Sequence, residues 1–387
     1  MKRLSIDARP NWQAEVEKIG LSFHTMEVEP GGDPTYWDET HCYEFTPLEV
    51  DKIEEASQVL YRMALSAVQY VFDTDQLSRL AIPQEFHKLV QTSWERQDVD
   101  LYGRFDFALA ADGTPKMLEY NADTPTSLLE GSVAQWYWLE EYSKRTGQEL
   151  DQFNSIHETL IDTLKDVGTK LLGASETFYF AACRDNLEDD QTVEYLRDVA
   201  TQAGLKTEFI AIEDIGWNGR TFLDMQEKPI TTVFKLYPWE WLIREEFGRN
   251  MINEPWDVIE PAWKLILSHK GLNAIMWELY PDHPNLLPSY WDSSKLGNTF
   301  VKKPFLSREG ANIEIVIDGK VQPFKDLGYG SEGHVYQEYL PLQQFDGMIP
   351  IIGSWVVGGR ACGMGIREDS NIITGNGSHF IPHFFRT

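Results

Sequence analysis

Apolar positions along the chain fall into three patterns. From Thr46 onward, Val50, Ile53, Val59, Leu60, Met63, Ala67 and Val71 recur at helical spacing and define one buried face. Thr46-Pro47-Leu48-Glu49 ahead of them has the form of a capping box with proline at the first helical position, so a long helix is expected to begin there. Farther on, TFYFAAC (177–183) and KTEFIAI (206–212) are apolar runs of strand length, separated by a helical pattern at 188–203 that Gly204 closes. Strand, helix and strand in so short a span predict a right-handed crossover and a parallel sheet. The third pattern is apolar–polar alternation around turn dipeptides: Asp112-Gly113, Asp318-Gly319 and Gly358-Gly359 each divide two β-like runs and predict hairpins.

These elements predict a mixed α+β or α/β fold in more than one lobe, with a βαβ unit of Rossmann-like form. The expected division is 1–175, a helical and hairpin part; 176–280, the βαβ lobe; and 281–387, strand, loop and hairpins. The Pro-rich stretch 281–299 is the expected connection between lobes.

Charge narrows the function. Against 61 Asp and Glu the chain has 34 Lys and Arg, a net −27 among 387 residues. Such a field repels nucleic acid and anionic lipid, and it can attract a cationic small molecule as well as simply aid solubility. Three cysteines without metal-ligand spacing fit reduced, cytoplasmic thiols. No secretory signal and no window of about 20 apolar residues is found, so neither export nor a membrane span is expected.

The chemistry concentrates in YGRFDFALAADGTPKMLEYNAD (102–123). A two-residue turn at Asp112-Gly113 would pair Ala111 with Thr114, Asp106 with Glu119, and Arg104 with Asn121. Strand alternation then puts those four polar groups on one face and Phe105, Phe107, Leu109, Leu118 and Tyr120 on the other. Two carboxylates facing each other across a ladder repel, at a cost of up to about 1 kcal/mol. Mg²⁺ would offset that repulsion: it takes hard oxygen ligands, which Asp106, Glu119 and the Asn121 amide supply, while Arg104 offers a fixed fork to phosphate. A plain surface hairpin in which Arg104 bridges both acids is the alternative. Beyond Asp123, Ser127 and Glu130 are spaced to cap a helix whose N-terminus points near the same edge.

In NTFVKKPFLSREGANIEIVIDG (298–319), adjacent Lys302 and Lys303 must face opposite ways, and the small residues around Arg308 and Gly310 could present backbone N–H groups to a phosphate. No Walker A motif occurs. Arg367 in GIRED ends the strand after Gly358-Gly359, where a solvated ion pair with Glu368 or Asp369 is the simple expectation.

Taken together, RFDF…KMLEYNAD, FVKKPFLSREGAN and GIRED, in that order, resemble the ligase domain of the glutathionylspermidine synthetase family and its single-domain bacterial relatives without an amidase domain. The resemblance implies an ATP-grasp fold and an ATP- and Mg²⁺-dependent ligase that joins a carboxylic acid to an amine through an acyl phosphate. It implies Asp106, Glu119 and Asn121 as Mg²⁺ ligands, and Arg104 as the catalytic arginine at the transferring phosphoryl group. Lys270, Lys303, Arg308, Gly310 and Arg367 would join Arg104 around ATP, with the Arg308 loop as a lid. Asp185, Glu188 and Asp189 fall where the family contacts its polyamine. TPTS after Asp123 departs from the family pattern and leaves the acid open: glutathione or another peptide. Two other functions fit the same residues, a non-catalytic nucleotide-binding relative and an ATP-dependent amino-acid or peptide ligase with a non-polyamine amine.

Overall fold

Helix Pro47–Asp73 starts as its sequence dictates: the Thr46 side chain accepts from the Glu49 N–H, the Glu49 carboxylate accepts from the Thr46 N–H, and Pro47 opens the first turn. Its apolar face, Val50 through Val71, is buried, with Val59 half-buried at the margin. The computed structural model describes residues 1–26, 33–173, 176–253, 256–375 and 377–386. The expected boundary at residue 175 lies outside the described residues.

The helix packs on a five-stranded antiparallel sheet with strand order His379–Ile381, Arg360–Asp369, Ile349–Val357, Tyr102–Leu109, Pro115–Asn121. Every residue of Tyr102–Leu109 is buried, because this strand has ladder partners on both edges. The βαβ expectation is met: Phe178–Ala182 and Thr207–Ala211 run parallel around helix Leu187–Gln202. Thr232–Leu236 and Asp257–Ile259 extend that sheet with the same direction. A third sheet orders Ser289–Tyr290, His334–Glu338, Phe300–Pro304, Glu314–Ile317 and Lys320–Val321. A fourth joins both ends of the chain, with His41–Phe45 antiparallel to Lys2–Ser5 and parallel to His383–Arg386. Segments from the first and last thirds therefore share two sheets. Among the described residues no helix is long and apolar enough to cross a membrane.

Two turns form as expected. Asp318-Gly319 and Gly358-Gly359 both have positive φ at each central residue, the type I′ form. Asp112-Gly113 does not. Only Gly113 of that pair has positive φ (+80°), its N–H donates to the Ala110 carbonyl, and Ala110 N–H donates to the Thr114 carbonyl, both at 2.9 Å. The loop is three residues long, a type I turn finished by a left-handed glycine, and it sets Leu109 opposite Pro115 and Phe107 opposite Met117. Continued regularly, that register would place Asp106 opposite Leu118. A bulge at Leu118 intervenes and restores Asp106 opposite Glu119 and Arg104 opposite Asn121. The expected pairs form through two one-residue offsets that cancel.

The bulge moves Leu118 out of the core face, where alternation had placed it, to the wall of a cleft, and Met117 fills the core instead. Two further expectations are corrected. Ser127 and Glu130 form no capping box: Ser127 adopts φ +67°, and both side chains turn to the buried Tyr36 hydroxyl. The stretch 281–299 is no free linker, since Leu286 and Leu287 are buried and Ser289–Tyr290 pairs with the third sheet.

Candidate active site

The hairpin brings its four polar groups to one cleft between the central sheet and the third sheet. Arg104 holds Asp106 with a bidentate fork, Nε to Oδ1 at 2.7 Å and Nη2 to Oδ2 at 3.0 Å, and a further N–H goes to the Thr126 carbonyl. Arg367 reaches the same Asp106 Oδ2 at 3.3 Å, so the simple ion pair with its sequence neighbours does not form. Strand alternation explains this: Glu368 points to the opposite face, buried on Arg3 and Tyr43. Glu119 faces Lys270 Nζ at 3.2 Å and accepts from Asn121 Nδ2 at 3.2 Å, which leaves the Asn121 carbonyl oxygen free to meet a cation.

The two adjacent lysines divide as alternation requires. Lys302 pairs with Glu314 at 2.6 Å on the outer side, while Lys303 is buried and donates to Gln337 Oε1 (2.7 Å) and to the Leu118 carbonyl (2.9 Å). That carbonyl also accepts from Asn273 Nδ2 at 2.7 Å. Burial would raise the Glu119 carboxyl, but Lys270 and Lys303 outweigh it and hold it at about 2. Burial pushes Lys303 down to about 8 despite Glu119 beside it. Lys270 donates to the Ser307 carbonyl at 2.6 Å, at the start of the expected lid. Arg308 crosses the cleft to Thr124 Oγ1 (2.7 Å) and Glu240 (3.2 Å) and lies over the Trp241 ring. Gly310, at φ +69°, sits where a Cβ would lie 2.8 Å from the Thr374 carbonyl oxygen and 2.3 Å from Ile373.

All the expected nucleotide and metal residues line this one cleft. Five cations line it against four carboxylates, two of which, Glu309 and Glu338, are solvent-exposed, and the excess of cations suits a polyphosphate carrying a divalent ion. Ser307 Oγ, buried against the cleft, has no hydrogen-bond partner among the described residues. Leu118, Leu287, Val301, Ile315, Leu340 and Leu342 give the same cleft an apolar wall beside residues 337–339.

The expected amine contacts separate. A second cavity, of about 330 Å³, adjoins the cleft through shared walls at Thr126 and Arg367. Glu188 and Asp185 line it, together with Tyr36 and Ser127, whereas Asp189 turns to Asn186, whose Nδ2 lies 2.9 Å from its Oδ2. Burial, with Glu130 and Asp189 nearby, raises Glu188 to about 8; burial raises Asp189 to about 6. A larger cavity, about 950 Å³, lies elsewhere, between Tyr61, Trp94 and Arg360, and none of the expected site residues lines it.

Comparison with known proteins places the chain in a family. The family model described as glutathionylspermidine synthase preATP-grasp matches residues 3–386. The chain belongs to the glutathionylspermidine synthase family. It is 42% identical to a putative acid–amine ligase of Haemophilus influenzae over the whole of both chains. It is 28% identical to the trypanothione synthetase of Crithidia fasciculata, covering 81% of this chain and 52% of that protein. The bifunctional glutathionylspermidine synthetase/amidase of Escherichia coli is 26% identical over 92% of this chain and 61% of its own length. The chain thus spans little more than half of these two longer relatives. A glutathione synthetase-like effector of Globodera pallida superposes with a TM-score of 0.61 over 97% of this chain and 96% of that one, at 10% identity, a likeness of fold. The fold is of the ATP-grasp kind, and membership of this glutathionylspermidine synthase family makes the chain an ATP-dependent carbon–nitrogen ligase.

Sequence reasoning missed several residues of the site. Asp123 is buried and accepts from Lys235 Nζ and Trp239 N–H, both at 2.7 Å, which ties the end of the hairpin to the parallel sheet. Tyr36, Glu130 and Gln337 were missed as well. Asp123 closes the KMLEYNAD motif and could have been suspected; no local pattern marks the partners it finds 112 and 116 residues away.

Proposed function

We propose that the chain joins a small-molecule acid to a polyamine-like amine at the expense of ATP. In this assignment Asp106, Glu119 and the Asn121 carbonyl hold Mg²⁺, which offsets charge on the phosphates when bound. Arg104, Lys270, Lys303, Arg308, the backbone at Gly310, and Arg367 surround the phosphates, and the apolar wall takes the base. The Arg308 loop crosses the cleft to Thr124 and Glu240 and serves as the lid over the phosphates.

An acid oxygen attacks the γ-phosphorus, the β–γ bridge bond breaks toward ADP, and an acyl phosphate results. Arg104 and Arg367 flank that position and counter the developing negative charge, largely by being fixed in place beforehand. Lid closure keeps water from the acyl phosphate. The amine enters from the Glu188 cavity, which meets the cleft at Arg367, and displaces phosphate.

The observation that carries this proposal is the convergence of Arg104, Asp106, Glu119, Asn121, Lys270 and Lys303 on one cleft that opens beside an acid-lined cavity. The test is ADP release with Mg²⁺ across a panel of peptides, thiols and polyamines. Amine-dependent turnover with one acid–amine pair, reduced at least about 100-fold in Arg104→Ala, is expected. ADP release that no amine stimulates would leave only a nucleotide binder. Charge reversal at Glu188 separates the amines: it raises KM for a polycation and leaves a neutral amine unaffected.

A further inference from the structure

The second half of the reaction needs a proton acceptor. As the amine nitrogen bonds to the acyl carbon it becomes cationic, and unless an N–H proton leaves, the nitrogen is the group expelled. Three carboxylates at the cleft and its neighbouring cavity are committed elsewhere, and Glu309 and Glu338, which also line the cleft, are solvent-exposed. Asp106 is clamped by Arg104 and Arg367, Glu119 lies against Lys270 and is held at about 2, and Asp189 turns to Asn186.

One arrangement stands apart. Tyr36 lines the acid-lined cavity, and its hydroxyl donates to Glu130 Oε1, with Ser127 Oγ, on another residue of the cavity wall, 3.2 Å away. Both side chains are buried, Tyr36 at 7% exposure and Glu130 at 1%. Ser127 adjoins Thr126, one of the two residues common to cavity and cleft, which puts the dyad's hydrogen-bond partner next to the wall that the two share. The groups that act on this dyad are Glu188 from helix Leu187–Gln202 and Arg104 and Arg367 from the central sheet. Burial raises the Glu130 carboxyl, which readies it to take a proton.

We propose that Tyr36 and Glu130 form the proton relay for amine attack. The C–N bond forms, the N–H proton passes to the Tyr36 oxygen, and the Tyr36 proton passes to Glu130 Oε1. The bond from the acyl carbon to the phosphate oxygen then breaks with its electron pair, releasing phosphate. Tyr36 is the group that meets the amine; Glu130 acts through it. This assignment rests on the proposed function and adds the base that function lacks.

Hydroxylamine provides the test. It is a strong nucleophile that is largely uncharged at neutral pH, and it traps acyl phosphates as hydroxamates with little need of a base. Wild type, Tyr36→Phe, Glu130→Gln and Glu188→Gln are assayed with glutathione, Mg²⁺ and ATP, once with spermidine and once with hydroxylamine; another pair from the panel replaces glutathione and spermidine if the wild type joins that pair instead. Tyr36→Phe is expected to lose at least about 100-fold in kcat for amide formation, the usual worth of a positioned base. Its hydroxamate formation stays within about threefold of wild type, which also reports an intact fold. Glu130→Gln follows the same pattern, and Glu188→Gln raises KM for spermidine instead. Amide formation retained in Tyr36→Phe, equal loss of both products, or the base-type loss in Glu188→Gln alone would overturn the relay. Should either variant fail to fold, the other decides by the same ratio of products. Failure of the wild type to make either product would instead sink the ligase assignment itself.

Discussion

Glu188 shows how a single residue reports on the second cavity. Its ordinary carboxyl value lies near 4.5, and burial beside Glu130 and Asp189 raises it to about 8 in the folded chain. The folded state then holds a proton that the unfolded state has lost, so this group's contribution is full below about pH 4.5 and is lost as pH rises through 8. Glu188→Gln is therefore expected to gain about 1–2 kcal/mol over wild type at pH 8 relative to pH 5, read from the difference in Tm or denaturation midpoint at the two pH values. An unchanged difference would mean that Glu188 is solvated and that the cavity is no cation trap. Saturating spermidine should abolish the gain, since a bound polycation keeps the ionised carboxylate in place.

At the scale of elements, the lid and the hairpin answer to different constraints. Gly310 stands at φ +69° against the backbone of Thr374, so Gly310→Ala must both adopt a left-handed conformation, at about 1–2 kcal/mol, and displace the loop. The expected result is a large fall in amide formation with more ADP produced per amide, because an ill-seated lid admits water; product ratios at saturating substrate check this. The hairpin illustrates what the sequence could and could not disclose. Alternation correctly gathered Arg104, Asp106, Glu119 and Asn121 on one face, because those pairs survive when two offsets cancel. The offsets themselves were illegible: Asp112-Gly113 suits either a two- or a three-residue loop, and nothing in KMLEY marks Leu118 as the extra residue. Capping chemistry failed at Ser127 and Glu130 for a tertiary reason, since Tyr36 arrives from 91 and 94 residues away and claims both side chains. The helix at Thr46 was legible because all of its capping partners are local.

For the whole molecule, a net charge of −27 surrounds a cleft that is locally cationic. The two regions come from different elements: Arg104 and Arg367 project from the central sheet, Lys303 from the third, and Lys270 and Arg308 from connecting segments, whereas the acids of the second cavity sit at and just before the start of helix Leu187–Gln202. A polycationic amine drawn by that outer field should bind less well as salt shortens its reach to about 8 Å at physiological ionic strength. KM for spermidine is expected to rise severalfold from low salt to about 0.15 M, while hydroxylamine, uncharged, shows no such dependence. Parallel salt dependence for both would exclude steering. The motif order foretold the architecture, but the interleaving of both chain ends in one sheet depends on pairings between distant segments that no short pattern encodes.

The irregularity at Leu118 has a consequence beyond register. Excising that residue would straighten the ladder yet still leave Asp106 across from Glu119 and Arg104 across from Asn121. What would disappear is an unladdered carbonyl, the shared tether of Lys303 on one side and Asn273 on the other. The bulge is thus a joint between the central hairpin and the elements that carry Lys303 and Asn273 rather than a spacer. A single-codon deletion should yield a protein that still gathers its acids while strand Phe300–Pro304 loses amide-exchange protection, uncoupling the acid-bearing hairpin from the sheet that carries Lys303.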